Sequence, residues 1–515
     1  MLFNSHIFIF VFLPLVLAGW YGLNRIKWYK AAQGYLIGMS LWFYAYFDIH
    51  YLWTMLASCA VGYGFCFLIK KAEKERVRRI LLAAGCLFHL GLLGYFKYSN
   101  FFLENINAAF GTKLALIGVL LPVGISFYTF QQLAYLIDCK RQDAPLYSFW
   151  DYLLFMVYFP QVLQGPILLH GELVPQFHEE ARRRFDGVRF AAGIQHFVIG
   201  LAKKVLLADT LAKAVNFGYD NVAGLDSVSA VFLAVGYLFE LYFDFSGYCD
   251  MAVGLGKMIG LEIVENFDSP FKSASVKEFW RRWHITLGRF FTKYVYIPLG
   301  GSKKGYVRML VNTMIVFLLS GLWHGAAWTF VFWGLLHGIG VCAGSLKGQK
   351  KKTPRTAAPV GRAGSGASEP EMREASPTGR AVLRAKQAAC FIYVCLAFVF
   401  FRAESVAQGF AVLRAMVALK WNGSLFRMAE ALDVSELYIF TKALSMKAPE
   451  ALDWFHLAVL LLVFGISLAV LAGKRACAMV QQTAFSTRQA LWMAFLFTWS
   501  ILSMAGISTY IYFSF

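Results

Sequence analysis

Apolar runs long enough to cross a bilayer recur along the chain, separated by short polar or basic stretches. About 20 apolar residues suffice for one crossing, and such runs fall at residues 5–23, 33–47, 51–69, 80–96 and 114–137. Others lie near 190–208 and 228–243, and the last three near 388–403, 456–473 and 489–513. The stretch 148–170 is also apolar, but Pro160, Gly165 and Pro166 interrupt it. That predicts a broken or re-entrant segment, which is tolerated at membrane depth only where it is buried in protein or lines a wet cavity. Residues 309–346 are too long for one perpendicular helix, and their glycines predict two helical pieces with a break around Gly321–Gly325. The pattern as a whole predicts an all-α polytopic membrane protein of about 10–12 membrane helices with at least one intramembrane break.

Charge orients the pattern. Basic clusters follow the first span (Arg25, Lys27, Lys30), the third (Lys70, Lys71, Lys74, Arg76, Arg78, Arg79) and the fifth (Lys140, Arg141), whereas the ends near Asp48 and Glu104 carry almost none. The positive-inside rule then puts the N-terminus outside and the basic loops in the cytoplasm. The first run has no basic residues before it and no convincing cleavage site, so it is expected to be a membrane helix and not a removed signal peptide. Residues 347–386 hold ten basic and three acidic residues among Gly, Ala, Ser and Pro, which predicts a disordered cytoplasmic linker. The chain is thus expected to divide into a membrane core over 1–346, this linker, and C-terminal helices over 387–515 that complete the core. No internal repeat is visible, which disfavours an inverted-repeat transporter.

Composition agrees. Of 515 residues, 58% are hydrophobic and 15% charged, against about 45–50% and about 25% for a soluble domain. A soluble enzyme, a disordered scaffold and a disulfide-stapled secreted module are excluded. The net charge of +19 would suggest nucleic acid on a soluble protein; here it reads as topology, and no nucleic-acid partner is expected. The nine cysteines form no CxxC or zinc-ligand spacing, and those in apolar runs (Cys59, Cys66, Cys86, Cys342, Cys390, Cys395) are expected to be buried packers. No metal site is expected.

Candidate chemistry sits in three stretches. Residues 279–294, placed on one helix, put Trp280, Trp283, Leu287, Phe290, Phe291 and Tyr294 on one face and Arg282, Arg289 and Lys293 opposite. This predicts an amphipathic interfacial helix, with His284 at the edge of the apolar face pointing inward. His284 is either satisfied by a backbone carbonyl or functional. His324 sits inside an apolar run at the expected break. An ionisable residue at membrane depth is a functional candidate by default, and an imidazole can act as a general base; the alternative is a hydrogen bond to a carbonyl freed by the break. His337 is weaker, with a glycine neighbour but no local aromatic frame. Glu240, Asp244 and Asp250 are expected to close an apolar span, with Gly247 to turn the chain; they could orient a histidine or substrate, or cap a helix start. There is no Gly-x-Ser-x-Gly elbow, P-loop, HExxH pair or DHHC tetrad, so a covalent acyl-enzyme is unsupported.

At these residues the sequence resembles the membrane-bound O-acyltransferase (MBOAT) family, in its bacterial alginate O-acetylase-like branch. The resemblance rests on Phe279-Trp280-Arg281-Arg282-Trp283-His284, Tyr296-Ile297-Pro298-Leu299-Gly300-Gly301 and Gly321-Leu322-Trp323-His324-Gly325-Ala326. Supporting pieces are Pro122–Tyr128, Gln164-Gly165-Pro166, Phe243–Tyr248 and Phe398–Arg402. It implies a ring of membrane helices around a central tunnel in the bacterial inner membrane. An acyl donor, acetyl-CoA or another thioester, would enter from the cytoplasm and a polysaccharide hydroxyl would arrive from the other side, with an extracytoplasmic acetyl-transfer partner and no bound cofactor. It carries the catalytic roles to His324 and His284, and marks Asp244, Tyr248, Trp280, Trp283, Trp323 and Gln164 as substrate or tunnel candidates. Gln164 stands where alginate-type members usually have a small residue, so the acceptor need not be alginate; other exopolysaccharides and peptidoglycan fit as well. The rivals are D-alanyl transfer to teichoic acid from a carrier protein, ranked lower because of the spans beyond residue 404, and a non-catalytic transport or scaffold subunit.

Overall fold

A computed structural model describes the chain except for Val119 and residues 347–376, 481–485, 505–509 and 512–515. Most of the expected linker therefore lies outside the described residues. All described regular structure is helical. The helices used below are α1 (Phe8–Arg25), α2 (Tyr29–Ala45), α3 (Ile49–Lys71) and α4 (Glu75–Phe110). They continue with α5 (Ile125–Arg141), α6 (Phe149–Val157), α7 (His170–His178), α8 (Gly187–Asp220) and α9 (Ser227–Ile259). Next come α10 (Val276–Arg282), α11 (Ile285–Phe291), α12 (Tyr306–His324) and α13 (Trp328–Leu346). The chain closes with α14 (Pro377–Arg402), α15 (Val406–Val417), α16 (Pro449–Ala472) and α17 (Thr487–Ser503).

Among the described residues, nine helices are long and apolar enough to cross a membrane. The expected 10–12 is approached through α2, α5 and α17, which are 17 residues each, at the short end of what spans. The chain is a multi-pass membrane protein. Burial separates its helices into a centre and a periphery. The apolar window of α9 is 78% buried, whereas those of α4 and α16 are 17% and 22% buried. Leu87, Phe102, Leu461 and Leu462 are exposed on those outer helices, as a face turned to hydrocarbon requires.

Helix α8 is held to α9 by glycines at matched seven-residue spacing. A Cβ on Gly193 or Gly200 would sit 2.7 and 2.5 Å from the carbonyls of Gly254 and Gly247, and the converse additions collide equally. Small residues let two membrane helices approach backbone to backbone. Lys203 and Lys204, on a π-helical turn of α8, then meet Asp250 and Asp244 of α9, each at 2.6 Å.

Several boundaries differ from those expected. The fourth span does not stop at residue 96; it runs to Phe110 through a π-helical turn at Gly94–Tyr98. Conversely, most of 114–124 is not helical, because Pro122 lacks an N–H and Gly124 is left-handed at φ 77. The span expected at 228–243 extends to Ile259, so Glu240, Asp244 and Gly247 lie inside a helix; they neither cap a start nor turn the chain. Residues 279–294 are not one helix: His284 is left-handed at φ 47, and the chain breaks there between α10 and α11. Its apolar face is buried in protein, with Trp283, Phe290 and Phe291 between 2% and 5% exposed, so it is no interfacial helix. The described end of the expected linker, from Pro377, already belongs to α14, and the last helix ends at Ser503.

The interrupted stretch at 148–170 is confirmed as α6, a series of turns and α7. The break in 309–346 is also confirmed, with α12 ending at His324 and α13 starting at Trp328. The two form a hairpin in which a Cβ on Gly321 would meet the Phe330 carbonyl at 2.3 Å and one on Gly334 the Phe317 carbonyl at 2.4 Å. All nine cysteines are free.

Candidate active site

The two chain breaks converge. His324 ends α12, His284 precedes α11, and their ring centroids lie 6.4 Å apart. Both are buried. Trp323 stands beside the pair, 4.9 Å from His324 and 6.0 Å from His284 between ring centroids, and also stacks on Phe130. Trp333 and Phe401 close the other side of His324, each 5.1 Å away edge to face.

The loop after α9 orients His284. Asn266 Oδ1 accepts the backbone N–H and the hydroxyl of Thr286, both at 3.0 Å, and lies 3.2 Å from His284 Nδ1. Since Oδ1 is already an acceptor, Nδ1 must carry the proton and donate, which assigns the tautomer from the hydrogen-bond network. His284 Nε2 is then a lone pair, buried and without a hydrogen-bond partner among the described residues. Between two seven-residue helices too short to span, burial pushes this imidazole down to about 3, so the ring is neutral.

A cavity of about 80 Å³ opens at His324, lined by Lys97, Leu121–Phe127, Leu163 and Trp323. Lys97 Nζ donates to the carbonyls of Trp323 and His324 at 2.8 and 2.9 Å, with Ser126 Oγ at 3.4 Å. A smaller recess of about 20 Å³ is lined by Asn266, Lys203, Asp250 and Arg475, among others. Asn266 therefore faces this recess while holding His284, the neighbour of the histidine that lines the cavity.

The other sequence candidates are spread around this centre. Trp323 lines the cavity. Gln164 adjoins Leu163, fully buried, and neither atom of its amide has a partner among the described residues. Tyr248 is buried between Phe3 and Tyr510 at 4.7 and 5.1 Å, and Trp283 packs on Phe267, Phe279 and Phe398. Trp280 donates from Nε1 to His337 Nδ1 at 3.2 Å. His337 thus has a full aromatic frame of Trp280, Trp333 and Phe398, within 4.9 to 5.4 Å: Trp333 stands one turn earlier on the same helix, contrary to the expected lack of a local frame, and Trp280 and Phe398 come from α10 and α14. Asp244 does not orient a histidine: its oxygens go to Lys204 and to the backbone N–H of Ile511. The orienting role falls to Asn266, which, like Lys97, was not among the sequence candidates. Lys97 carried a readable signal, an ionisable residue within an apolar stretch.

Buried imidazoles beside a cavity, inside a bundle of membrane-length helices, define a membrane protein equipped for proton transfer. The chain belongs to the MBOAT, membrane-bound O-acyltransferase family, whose model matches residues 36–348, and it is an O-acyltransferase. A peptidoglycan O-acetyltransferase of Helicobacter pylori is 37% identical over 445 residues, covering 81% of this chain and 80% of that one. The "Probable alginate O-acetylase AlgI" of Azotobacter vinelandii is 40% identical over 347 residues, 66% of this chain and 67% of its own. A teichoic acid D-alanyltransferase of Streptococcus thermophilus is 26% identical over 249 residues, 45% of this chain and 58% of its own.

Proposed function

We propose that this protein moves an acetyl group from a cytoplasmic thioester, acetyl-CoA in the first instance, to a hydroxyl of an exported polysaccharide, with His324 as general base. The observation that carries the proposal is the convergence of His324 and His284 at two chain breaks beside a cavity. Similarity to two polysaccharide O-acetylating relatives supplies the acceptor class, and the longer coverage favours acetyl over D-alanyl transfer.

In this reading His324 accepts the proton of the acceptor hydroxyl, or of a relay serine on an extracytoplasmic partner, as the oxygen attacks the thioester carbonyl. The tetrahedral intermediate collapses, the C–S bond breaks, and the imidazolium returns its proton to the departing thiolate. The products are an O-acetyl ester and a free thiol. His284, with Nδ1–H held by Asn266, has only the Nε2 lone pair left to offer. It therefore accepts from and aligns a hydroxyl, and does not steady an oxyanion. Much of the rate comes from fixing both reactants in a dry, shaped site.

The charge pattern supports a two-sided site in the bacterial cytoplasmic membrane. Lys97 lies 22 residues beyond Glu75, about 33 Å along a helix, so the cavity belongs to the outer half if the basic loop before α4 is cytoplasmic. The recess at Asn266 lies toward the end of α9, where Gly260 meets Arg189 near the basic run Arg182–Arg184. A donor approaching there and an acceptor approaching the cavity would meet at the histidines.

The test is His324→Ala in a deletion strain, reading acetate released by mild alkali from cell-surface polymers at matched protein level. Acetate at the level of the deletion supports the base; wild-type acetate overturns it. Mass spectrometry of the same polymers identifies the acceptor.

A further inference from the structure

We infer that Lys97 is a positioning residue for the transfer, clamping the broken end of α12 so that the His324 imidazole faces the cavity. The inference rests on His324 as the base and adds the element that holds it there.

A helix that stops inside a protein leaves its last carbonyls without intrahelical partners, and at membrane depth water is not at hand to satisfy them. Helix α12 stops at His324 because Gly325 turns extended, at φ −159 and ψ 152, and the last backbone bond of the turn is Gly325 N–H to Gly321 at 3.3 Å. The next three carbonyls are taken in order by two consecutive residues of α4. Tyr98 donates its hydroxyl to Leu322 at 2.6 Å, and Lys97 Nζ donates to Trp323 and His324. Two long side chains from a neighbouring helix thus act as the C-cap of a helix broken at the candidate base.

The local backbone of α4 suits this task. Lys97 and Tyr98 close a π-helical turn, Gly94–Tyr98, and such single turns inside an α-helix are frequent at functional sites. The extra residue shifts the register so that both side chains turn toward α12, while Leu87, Leu90 and Phe102 of the same helix remain exposed. Lys97 also lines the cavity and reaches Ser126 at the start of α5. One amino group therefore ties three elements of the cavity wall together: α4, the α5 entrance and the residue bearing the base. A lysine placed merely to satisfy itself would snorkel to water; this one is directed inward onto the backbone of His324.

The test compares four variants in the deletion strain: Lys97→Met, Lys97→Arg, Tyr98→Phe and His324→Ala. Each is read as alkali-labile acetate per amount of folded protein, the latter taken from the monodisperse peak in detergent. Lys97→Met is expected to lower acetate at least about tenfold per folded protein. Lys97→Arg, which keeps several donors at that length, is expected to return it to within about threefold of wild type. Tyr98→Phe releases a carbonyl two residues before the base and is expected to cost less than Lys97→Met. The inference is overturned if Lys97→Met keeps more than half of wild-type acetate per folded protein, if Lys97→Arg is no better than Lys97→Met, or if the acetate lost only follows the folded protein lost. Wild-type acetate in His324→Ala would instead overturn the parent reading, and an inactive His324→Ala beside a fully active Lys97→Met would remove the clamp alone.

Discussion

Gly321→Ala tests how tightly the hairpin of α12 and α13 fixes the base. The added methyl would stand 2.3 Å from the carbonyl oxygen of Phe330 and 3.4 Å from the Gly334 Cα, where ordinary contact begins at 3.4 Å. The collision is with backbone, so no rotamer change relieves it, and the two helices must part by about 1 Å. Gly321 is one turn before His324, so that displacement arrives at the imidazole almost undiminished. Misplacing a catalytic group by about 1 Å costs on the order of 100-fold in rate, or about 2.7 kcal/mol of barrier. Overpacking adds about 1–3 kcal/mol of lost stability. The assay is alkali-labile acetate per cell mass, with protein quantified by a fluorescent fusion. The control is Gly344→Ala on α13, where an added Cβ meets nothing within 4 Å. Acetate near wild type in Gly321→Ala at matched protein, or an equal loss in Gly344→Ala, would refute the reasoning.

Two further predictions address the supports of the site. Lys204→Met leaves buried Asp244, and Asp209 beside it, without the amino group now 2.6 and 2.8 Å away; breaking one partner of a buried ion pair costs about 3–5 kcal/mol. The melting temperature in detergent should fall by several degrees, and Lys204→Met combined with Asp244→Leu should recover part of it; an unchanged melt in the single variant contradicts the pairing. Asn266→Ala removes the acceptor that fixes the His284 tautomer and is expected to lower acetate roughly 10-fold or more, whereas Thr286→Val, which spares the Asn266–His284 bond, should cost less. Equal effects of the two would argue that only loop packing is at stake.

The parts of the fold legible in the sequence were those written by composition and by backbone chemistry. Hydrophobic runs located most helices because a lipid-facing side needs little else. Pro160, Gly165 and Pro166, and Gly325, marked two real interruptions because a missing N–H or a missing Cβ acts on the chain locally. Helix length was less legible. A lysine at residue 97 and carboxylates at 240, 244 and 250 looked like ends of spans, since a charge normally marks the water boundary. In the structure they are interior, and three of them meet a partner distant in sequence: Lys97 the end of α12, Asp244 Lys204, Asp250 Lys203. The same blindness to distant partners hid Trp280 and Phe398 in the frame of His337, whereas Trp333, one turn away on the same helix, was local.

The site itself divides along this line. His324 was visible because its run is apolar and interrupted, and both signals are local. His284 was also selected, but on a helix that does not exist. A regular periodicity of aromatic residues over 279–294 is what a continuous amphipathic helix would show, and it is equally what two short helices produce when both bury their apolar sides. What ends the first of them is the left-handed residue His284 itself, a conformation uncommon for a residue with a Cβ. It is held by Asn266, which accepts from the histidine ring and from Thr286, and whose own carbonyl receives the Ile285 N–H at 3.0 Å. The break and the orientation of the ring thus have one cause, an asparagine 18 residues upstream. Strain of this kind is kept where the surroundings over-determine it. Here Asn266 sets the backbone of one histidine and Lys97 the backbone of the other, and the two residues that hold the imidazoles face different recesses.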